Sequence, residues 1–305
     1  MPAMSFIVAA STVLAPSAAW SQEVVLEPSS QWHLDYGEDK CRLARTFGEG
    51  ERKTIFFLEQ FSPGSGFSWV VAGPPVEAMR RNRDVDVQFG PGFASFPVEQ
   101  DDGLTLDGFG EAIGGRGHKP PEGERVTAGP RMGAATGHVG DSGEDSGPTG
   151  LDPAEGRKIA YLALSQGEDK RSLLRLGDME PAFKAVNACI DDLVESWGLD
   201  PAVLRTQVTG PAWTNADRLV SKIQDNYPSE ALRGGNQANF GLRVMVGADG
   251  EVVGCHFTEM TSAENFSDRV CPIIMREAEF APARDADGTA IPSYYTSRVL
   301  YRINP

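Results

Sequence analysis

This 305-residue sequence has few long apolar runs, few basic residues and few His and Cys residues, and each shortage excludes a class of protein. The apolar run at residues 6–14 falls well short of the roughly 20 residues that a membrane-spanning helix needs. Basic residues are outnumbered, because 28 Lys and Arg stand against 43 Asp and Glu, and the formal net charge of −15 would repel a nucleic-acid backbone. Only four histidines and four cysteines are available for metal or nucleophilic chemistry. We therefore expect neither a polytopic membrane protein nor a nucleic-acid partner.

The N-terminal segment has the pattern of a secretory signal. The apolar run is followed by Pro16 and by small residues around Ala18 and Ala19, which predicts a cleavable signal peptide over residues 1–21. No Lys or Arg precedes the run, unlike the usual signal. We expect an exported protein, and anchoring in the inner membrane by an uncleaved N-terminus is the alternative.

Residues 31–100 predict a β-rich domain. Short runs of β-branched and aromatic residues recur at intervals near ten residues, separated by turn-forming residues, which favours an antiparallel sheet or barrel. The predicted strands are residues 32–36, 43–47, 54–61, 67–71, 85–89, 157–164 and 172–176. Apolar residues at three- and four-residue steps from Met179 to Trp197 predict one covering helix, with Pro181 in its first turn and Gly198 at its end.

A glycine-rich stretch interrupts this domain. Residues 101–150 contain 14 of the 34 glycines and four prolines, which predicts a flexible insertion.

The C-terminal third alternates helices and strands. Thr214 and Asp217 have the pattern of a capping box at the start of a helix. Apolar alternation on both sides of a turn at Asp249 and Gly250 predicts a β-hairpin. Apolar residues at helical steps from 266 to 280 predict a second helix, and alternation over residues 294–303 predicts a last strand.

An even number of cysteines in an exported chain predicts disulfides. Three pairings are possible, and buried free thiols are the alternative. We expect Cys41–Cys189 and Cys255–Cys271, because each bridge would join a predicted strand to the helix predicted to pack on it.

The order helix, hairpin, helix, strand resembles the C-terminal domain of the TonB energy-transducer family over residues 213–304. The N-terminal half is similar to uncharacterised proteins that carry the same module. The matching residues are Tyr227, Pro228, Asp249, Gly250, Phe280, Pro282 and Gly288.

We therefore expect an α+β protein whose first domain, over residues 22–204, is β-rich with one covering helix. The resemblance implies a small second domain over 205–305 with a three-stranded antiparallel sheet and two helices. In the family the last strand lies at the sheet edge and pairs with an extended segment of an outer-membrane receptor. The expected partner, such a receptor or another envelope protein, would bind in the periplasm. The implied edge residues are Tyr294, Thr296, Arg298, Leu300 and Arg302.

The chain departs from the family pattern. It has no proline-rich spacer, and residues 199–213 are the only candidate linker. We therefore expect peptide binding linked to outer-membrane transport, and the alternative is an envelope structural or assembly protein without energy transduction.

We predict no enzyme, no cofactor, no metal site and no small-molecule substrate. The run Gly140-Asp141-Ser142-Gly143 resembles a protease nucleophile loop, but it lies in the glycine-rich insertion, where we expect no scaffold to orient a base. His118 and His138 lie in the same insertion, without fixed spacing to other ligands.

Overall fold

The computed structural model describes residues 22–80, 84–98, 104–120, 139–141, 149–225, 238–261 and 270–301. Mixed α+β structure is confirmed, with most of the regular structure in sheets. No helix within these ranges combines the length and apolar character required to cross a membrane.

The strands are β1 Gln22–Leu26, β2 His33–Tyr36, β3 Cys41–Phe47, β4 Thr54–Gln60, β5 Ser68–Ala72, β6 Val85–Pro91, β7 Phe96–Val98, β8 Thr105–Leu106, β9 Gly110–Arg116, β10 Val139–Asp141, β11 Ile159–Gln166, β12 Lys170–Arg175, β13 Gln207–Thr209, β14 Ala212–Trp213, β15 Ala238–Val246, β16 Val252–Thr261, β17 Phe280–Ala281, β18 Ala283–Asp285, β19 Ala290–Ile291 and β20 Ser293–Tyr301. The helices are α1 Pro74–Arg80, α2 Pro153–Gly156, α3 Glu180–Ser196, α4 Pro201–Leu204, α5 Ala216–Asp225 and α6 Val270–Glu277, with a 3-10 turn at Gly50–Arg52.

Two open sheets, rather than a barrel, build the N-terminal half. One has the order β1-β12-β11-β6-β7 and the other β2-β3-β4-β5-β9-β8. Their inner faces meet where Phe56 of β4 and Trp69 of β5 each make edge contacts with Phe89 of β6. These rings lie on buried faces because alternate residues of a strand point to the same side.

Helix α3 packs on β2 and β3. Asp178 Oδ1 accepts a hydrogen bond from the Glu180 N–H, and Gly198 takes the left-handed conformation just beyond the helix end, with φ of 80°. Glycine adopts that conformation at little cost, which explains where the helix stops. The expected single covering helix is not the whole arrangement, because α1 contacts strands of both sheets.

Both predicted disulfides are present. Cys41 of β3 is bonded to Cys189 of α3, and Cys255 of β16 is bonded to Cys271 of α6. Each bridge lies within one half of the chain and joins a strand to a helix. Two such bonds are typical of proteins that fold in an oxidising compartment.

The prediction of a flexible insertion over residues 101–150 is wrong for residues 105–116. Strand β9 pairs with β5 along five residues, from Ala72↔Ala112 to Ser68↔Arg116. Its glycines have a packing role, because a Cβ at Gly115 would lie 2.5 Å from the Trp69 indole. Glycine density here reflects close contact with a large ring rather than low complexity.

Residues 199–213 do not form an extended linker. Asp200 Oδ1 accepts from the Ala202 N–H and caps α4, while Leu199 and Leu204 are buried in the N-terminal core. Strands β13 and β14 then pair with β18 and β17 of the C-terminal half. The connecting segment therefore packs on the N-terminal core and pairs with strands of the C-terminal half.

Two details of the C-terminal prediction are corrected. The Thr214 hydroxyl donates to the Glu279 carbonyl at 2.9 Å instead of forming a capping box with Asp217. Phe280 lies beyond the end of α6, in β17, where its ring stacks on Trp213 with centroids 5.8 Å apart.

Candidate partner-binding site

The C-terminal sheet has the order β10-β20-β15-β16, so three of its strands match the expected three-stranded sheet and β10 adds a fourth. Strand β15 pairs with β20 along nine residues, from Ala238↔Tyr301 to Val246↔Ser293. Leu242 and Val244 of β15 pack on α5 and α6 in one buried cluster with Leu219 and Ile274. Both helices therefore pack on one face of the sheet.

The opposite face of the sheet lies against the N-terminal half. Arg243 and Met245 alternate with Leu242 and Val244 along β15 and therefore point the other way. Met245 and Tyr294 belong to the N-terminal core cluster. Both faces of this sheet are therefore covered, at least in part, by the chain itself.

The outer side of β20, which we expected to be a free sheet edge, carries a short strand of the same chain. Strand β10 pairs antiparallel with it through Val139↔Val299, Gly140↔Arg298 and Asp141↔Ser297. The prediction of an uncovered edge is thus wrong at these three residues. Its physical reason is that the glycine-rich insertion returns to the C-terminal sheet, a contact that leaves no periodic pattern in the sequence.

The five predicted edge residues differ in their surroundings. Thr296 and Leu300 lie in β20 outside the three residues that β10 covers, whereas Arg298 pairs with Gly140. Arg302 lies outside the described residues. Tyr294, although in β20, is only 6% exposed and cannot offer its side chain to a partner.

Tyr294 is held by the N-terminal half. Its hydroxyl donates to the Pro63 carbonyl at 3.3 Å, and its ring meets Trp197 edge-on with centroids 5.3 Å apart. Burial raises the pKa of the Tyr294 phenol to about 12, although the Ser62 hydrogen bond and the Arg243 charge oppose that rise.

Arg243, which the sequence analysis missed, is a buried cation at the same junction. Its side chain is 4% exposed, and its guanidinium lies 3.9 Å from the centroid of the Trp197 ring. Asp39 is its carboxylate partner, with Nη2 and Oδ1 3.3 Å apart, but Nε and Nη1 have no hydrogen-bond partner among the described residues. Burial lowers the pKa of Arg243, and Asp39 opposes that effect. The only signal in the sequence is a lone arginine within an alternating apolar strand.

Several residues that carry the family resemblance meet at one end of the sheet. Gly250 has φ of 85° in the hairpin turn, and a Cβ there would collide with the Phe280 carbonyl oxygen. Pro282 Cδ is 3.5 Å from the same position, and Asp249 Oδ1 accepts from the Glu251 N–H. These residues shape the sheet end rather than a binding surface.

The other residues of the resemblance do not join this cluster. Gly288 lies in the turn between β18 and β19, with φ of 79°. Tyr227 and Pro228 lie outside the described residues.

His118 is a packed residue rather than a loop ligand. It is 5% exposed, and its ring contacts Phe67 and Phe93. Its Nε2 lies 2.9 Å from Glu155 Oε2, while Nδ1 is buried and has no partner in the part of the chain that the structure describes. Burial lowers the pKa of His118, and the Glu155 hydrogen bond opposes that effect.

The second candidate metal ligand, His138, lies outside the described residues. Across the described ranges, no three His, Cys, Asp or Glu side chains lie close enough together to hold a metal ion.

A scan against protein-family models and a search of curated proteins found no match to this chain.

Proposed function

We propose that the C-terminal sheet binds an extended segment of an envelope partner by strand addition to β20, in a TonB-like periplasmic protein linked to outer-membrane transport. The observation that supports this proposal is the pairing of β10 with β20. A three-residue segment from a distant part of the chain already lies on the outer side of β20 in antiparallel register. That side therefore accepts an extended backbone.

The chemistry of strand addition is generic. A sheet edge presents N–H and C=O groups in a row, and an extended peptide satisfies them while neighbouring side chains select its sequence. Strand β10 covers three residues of a nine-residue strand. A longer partner strand would make more ladder hydrogen bonds than β10 does, and we expect it to displace β10.

The order of the secondary-structure elements supports the proposed likeness to TonB. A helix, a hairpin, a second helix and a closing strand follow one another along the chain, and their strands share one sheet in which β20 lies on the side of β15 away from β16. The two disulfides support an oxidising compartment such as the periplasm. Force transduction is not part of the proposal.

Site-specific photo-crosslinking in cells tests the proposal. A benzophenone amino acid replaces Leu300 on β20 or, as the matched control, Val253 on β16 at the other side of the sheet, where it is 66% exposed. Adducts identified as outer-membrane receptors from position 300 but not from position 253 are the expected result. A chain without adducts at position 300 would contradict the proposal.

The double variant Val139→Pro and Gly140→Pro makes the experiment sharper. Adjacent residues of an antiparallel strand direct their N–H groups to opposite sides, so either Val139 or Gly140 donates toward β20. Two prolines remove that donor in either case. Adduct yield at position 300 should rise in this variant, while the yield at position 253 should stay unchanged.

A second function has its own supporting observation. Tyr294 is buried and β10 occupies part of the edge, as would suit an envelope structural or assembly protein that keeps the TonB-like fold without receptor pairing. The same crosslinks discriminate: receptors favour transport, whereas lipoproteins or peptidoglycan-bound proteins favour assembly.

A further inference from the structure

The N-terminal half contains a cleft whose lining residues all precede β15, β16 and β20 in the sequence. It has a volume of about 270 Å³ and is walled by α1, β12, the 3-10 turn and Val24 of β1. This volume is close to the lower end of small-molecule sites, which enclose roughly 300–1,000 Å³.

One wall of the cleft is apolar. Val24 and Pro75 are half-buried there, and Met79 is 2% exposed. Ser172, a residue that is 1% exposed, also lines the cleft. Its hydrogen bond to the Pro75 carbonyl is 3.5 Å long, whereas hydroxyl hydrogen bonds in proteins are usually about 2.7–2.8 Å. This hydroxyl can therefore turn to a better partner.

The rim of the cleft is cationic although the chain is acidic. Arg52, Lys170 and Arg171 line it, against the single carboxylate of Glu51. Within the described ranges, no carboxylate lies within 4.0 Å of the charged groups of Arg52 or Lys170. The Lys170 ammonium donates to the Ala78 carbonyl at 3.4 Å. In a protein of net charge −15, two cations that have no carboxylate partner among the described residues, beside an apolar wall, are suited to an anion.

We propose that this cleft binds a small anionic amphiphile, a molecule with a short hydrocarbon body and a carboxylate head. The body packs on Val24, Pro75 and Met79, where burial of apolar surface drives binding. The head accepts charge-assisted hydrogen bonds from Arg52 and Lys170. The Ser172 hydroxyl supplies a neutral donor in the cleft lining.

Titration calorimetry with decanoate on the full chain tests the proposal. Decanol, which lacks the charge, and decyltrimethylammonium, which reverses it, should each bind at least about tenfold more weakly than decanoate, because they lose the charge-assisted bonds. Raised salt should weaken decanoate binding, since the rim is exposed to solvent. Decanoate binding no tighter than decanol would overturn the proposal.

Variants locate the site. Combining Arg52→Met with Lys170→Met should weaken decanoate binding at least about tenfold. Ala78→Trp should fill the cleft and abolish binding. The matched control is Arg175→Met, which removes an exposed cation of the same strand that is paired with Glu27 at 2.7 Å outside the cleft.

The double variant at Arg52 and Lys170 and the control Arg175→Met change solvated side chains. They remain informative if Ala78→Trp fails to fold. An equal loss of affinity in the double variant and in Arg175→Met would show non-specific attraction to positive charge and contradict the proposal.

Discussion

The Arg243 guanidinium stacks on the Trp197 indole at 3.9 Å, and this contact joins β15 of the C-terminal sheet to the end of α3 in the N-terminal half. Asp39 supplies the opposite charge from a position that is 37% exposed. The junction between the halves thus contains a desolvated cation with one solvated partner.

We expect Arg243→Met to change the free energy of unfolding by less than about 1 kcal/mol. The apolar side chain removes a buried charge and two nitrogens, Nε and Nη1, that have no hydrogen-bond partner among the described residues. Asp39→Asn should destabilise more, by about 1–3 kcal/mol, because it leaves the buried cation without a countercharge. Urea unfolding measures both. A greater loss in Arg243→Met would instead make the Trp197 stack the dominant interaction.

Tyr294 should resist ionisation. Its pKa of about 12 exceeds the usual value of about 10, so unfolding releases a more acidic phenol. The stability contributed by the neutral phenol is therefore complete below about pH 10 and declines as the pH rises toward 12. In Tyr294→Phe, unfolding free energy should fall less over that range than in the parent chain. Ultraviolet difference spectra should lose one late-titrating tyrosine.

Acid should weaken the protein through His118. Burial lowers its pKa in the folded state, so the unfolded chain binds the proton more readily, and stability falls as the pH drops below about 6.5. His118→Phe should reduce the stability lost between about pH 7.5 and about pH 5.

The exposed His33 provides the control for that experiment: His33→Gln should leave the loss unchanged. Glu155 does not confuse the comparison. Burial alone would raise its pKa, but hydrogen bonds from Lys119 and His118 lower it, so Glu155 titrates at more acidic pH. Equal losses in both variants would contradict a role for His118.

The two disulfides should differ in their contribution to stability. In the chain-entropy account, the bridge that spans 16 residues contributes about 3 kcal/mol and the bridge that spans 148 contributes about 5 kcal/mol. We expect Cys41→Ala with Cys189→Ala to lower the unfolding free energy more than Cys255→Ala with Cys271→Ala. Chemical unfolding of both double variants checks the order, and the reverse order would show residual structure or strain outweighing loop length.

The sequence predicted those elements whose position depends on neighbouring residues. Strands β3 to β6, helix α3 and the hairpin at Gly250 follow alternation, helical spacing and turn residues, and they lie close to the expected boundaries. The disulfides followed once those elements were placed, since each bridge joins two of them.

The features that the sequence did not reveal depend on contacts between distant residues. The sequence of Val139–Asp141 has no strand pattern, and the segment is a strand because it pairs with β20. Arg243 occupies a position that alternation marks as solvent-facing, but the N-terminal half covers that side. His118 appeared to lie in a glycine-rich loop because the packing of Gly115 on Trp69 cannot be deduced from composition.

The Cys41–Cys189 bridge also decides how the molecule would respond to tension. Covalent bonds carry load that hydrogen bonds cannot, so a pull between the chain ends passes from residue 41 directly to residue 189. The bypassed segment spans 148 residues, a length of roughly 500 Å if it were extended. Strands β4 to β12 lie inside this protected loop. Pulling on the oxidised protein would therefore peel away β1, β2 and the strands β15, β16 and β20, whereas the backbone between the two cysteines would not be extended. Force reaches that segment only through pairings such as β1 with β12 and β10 with β20.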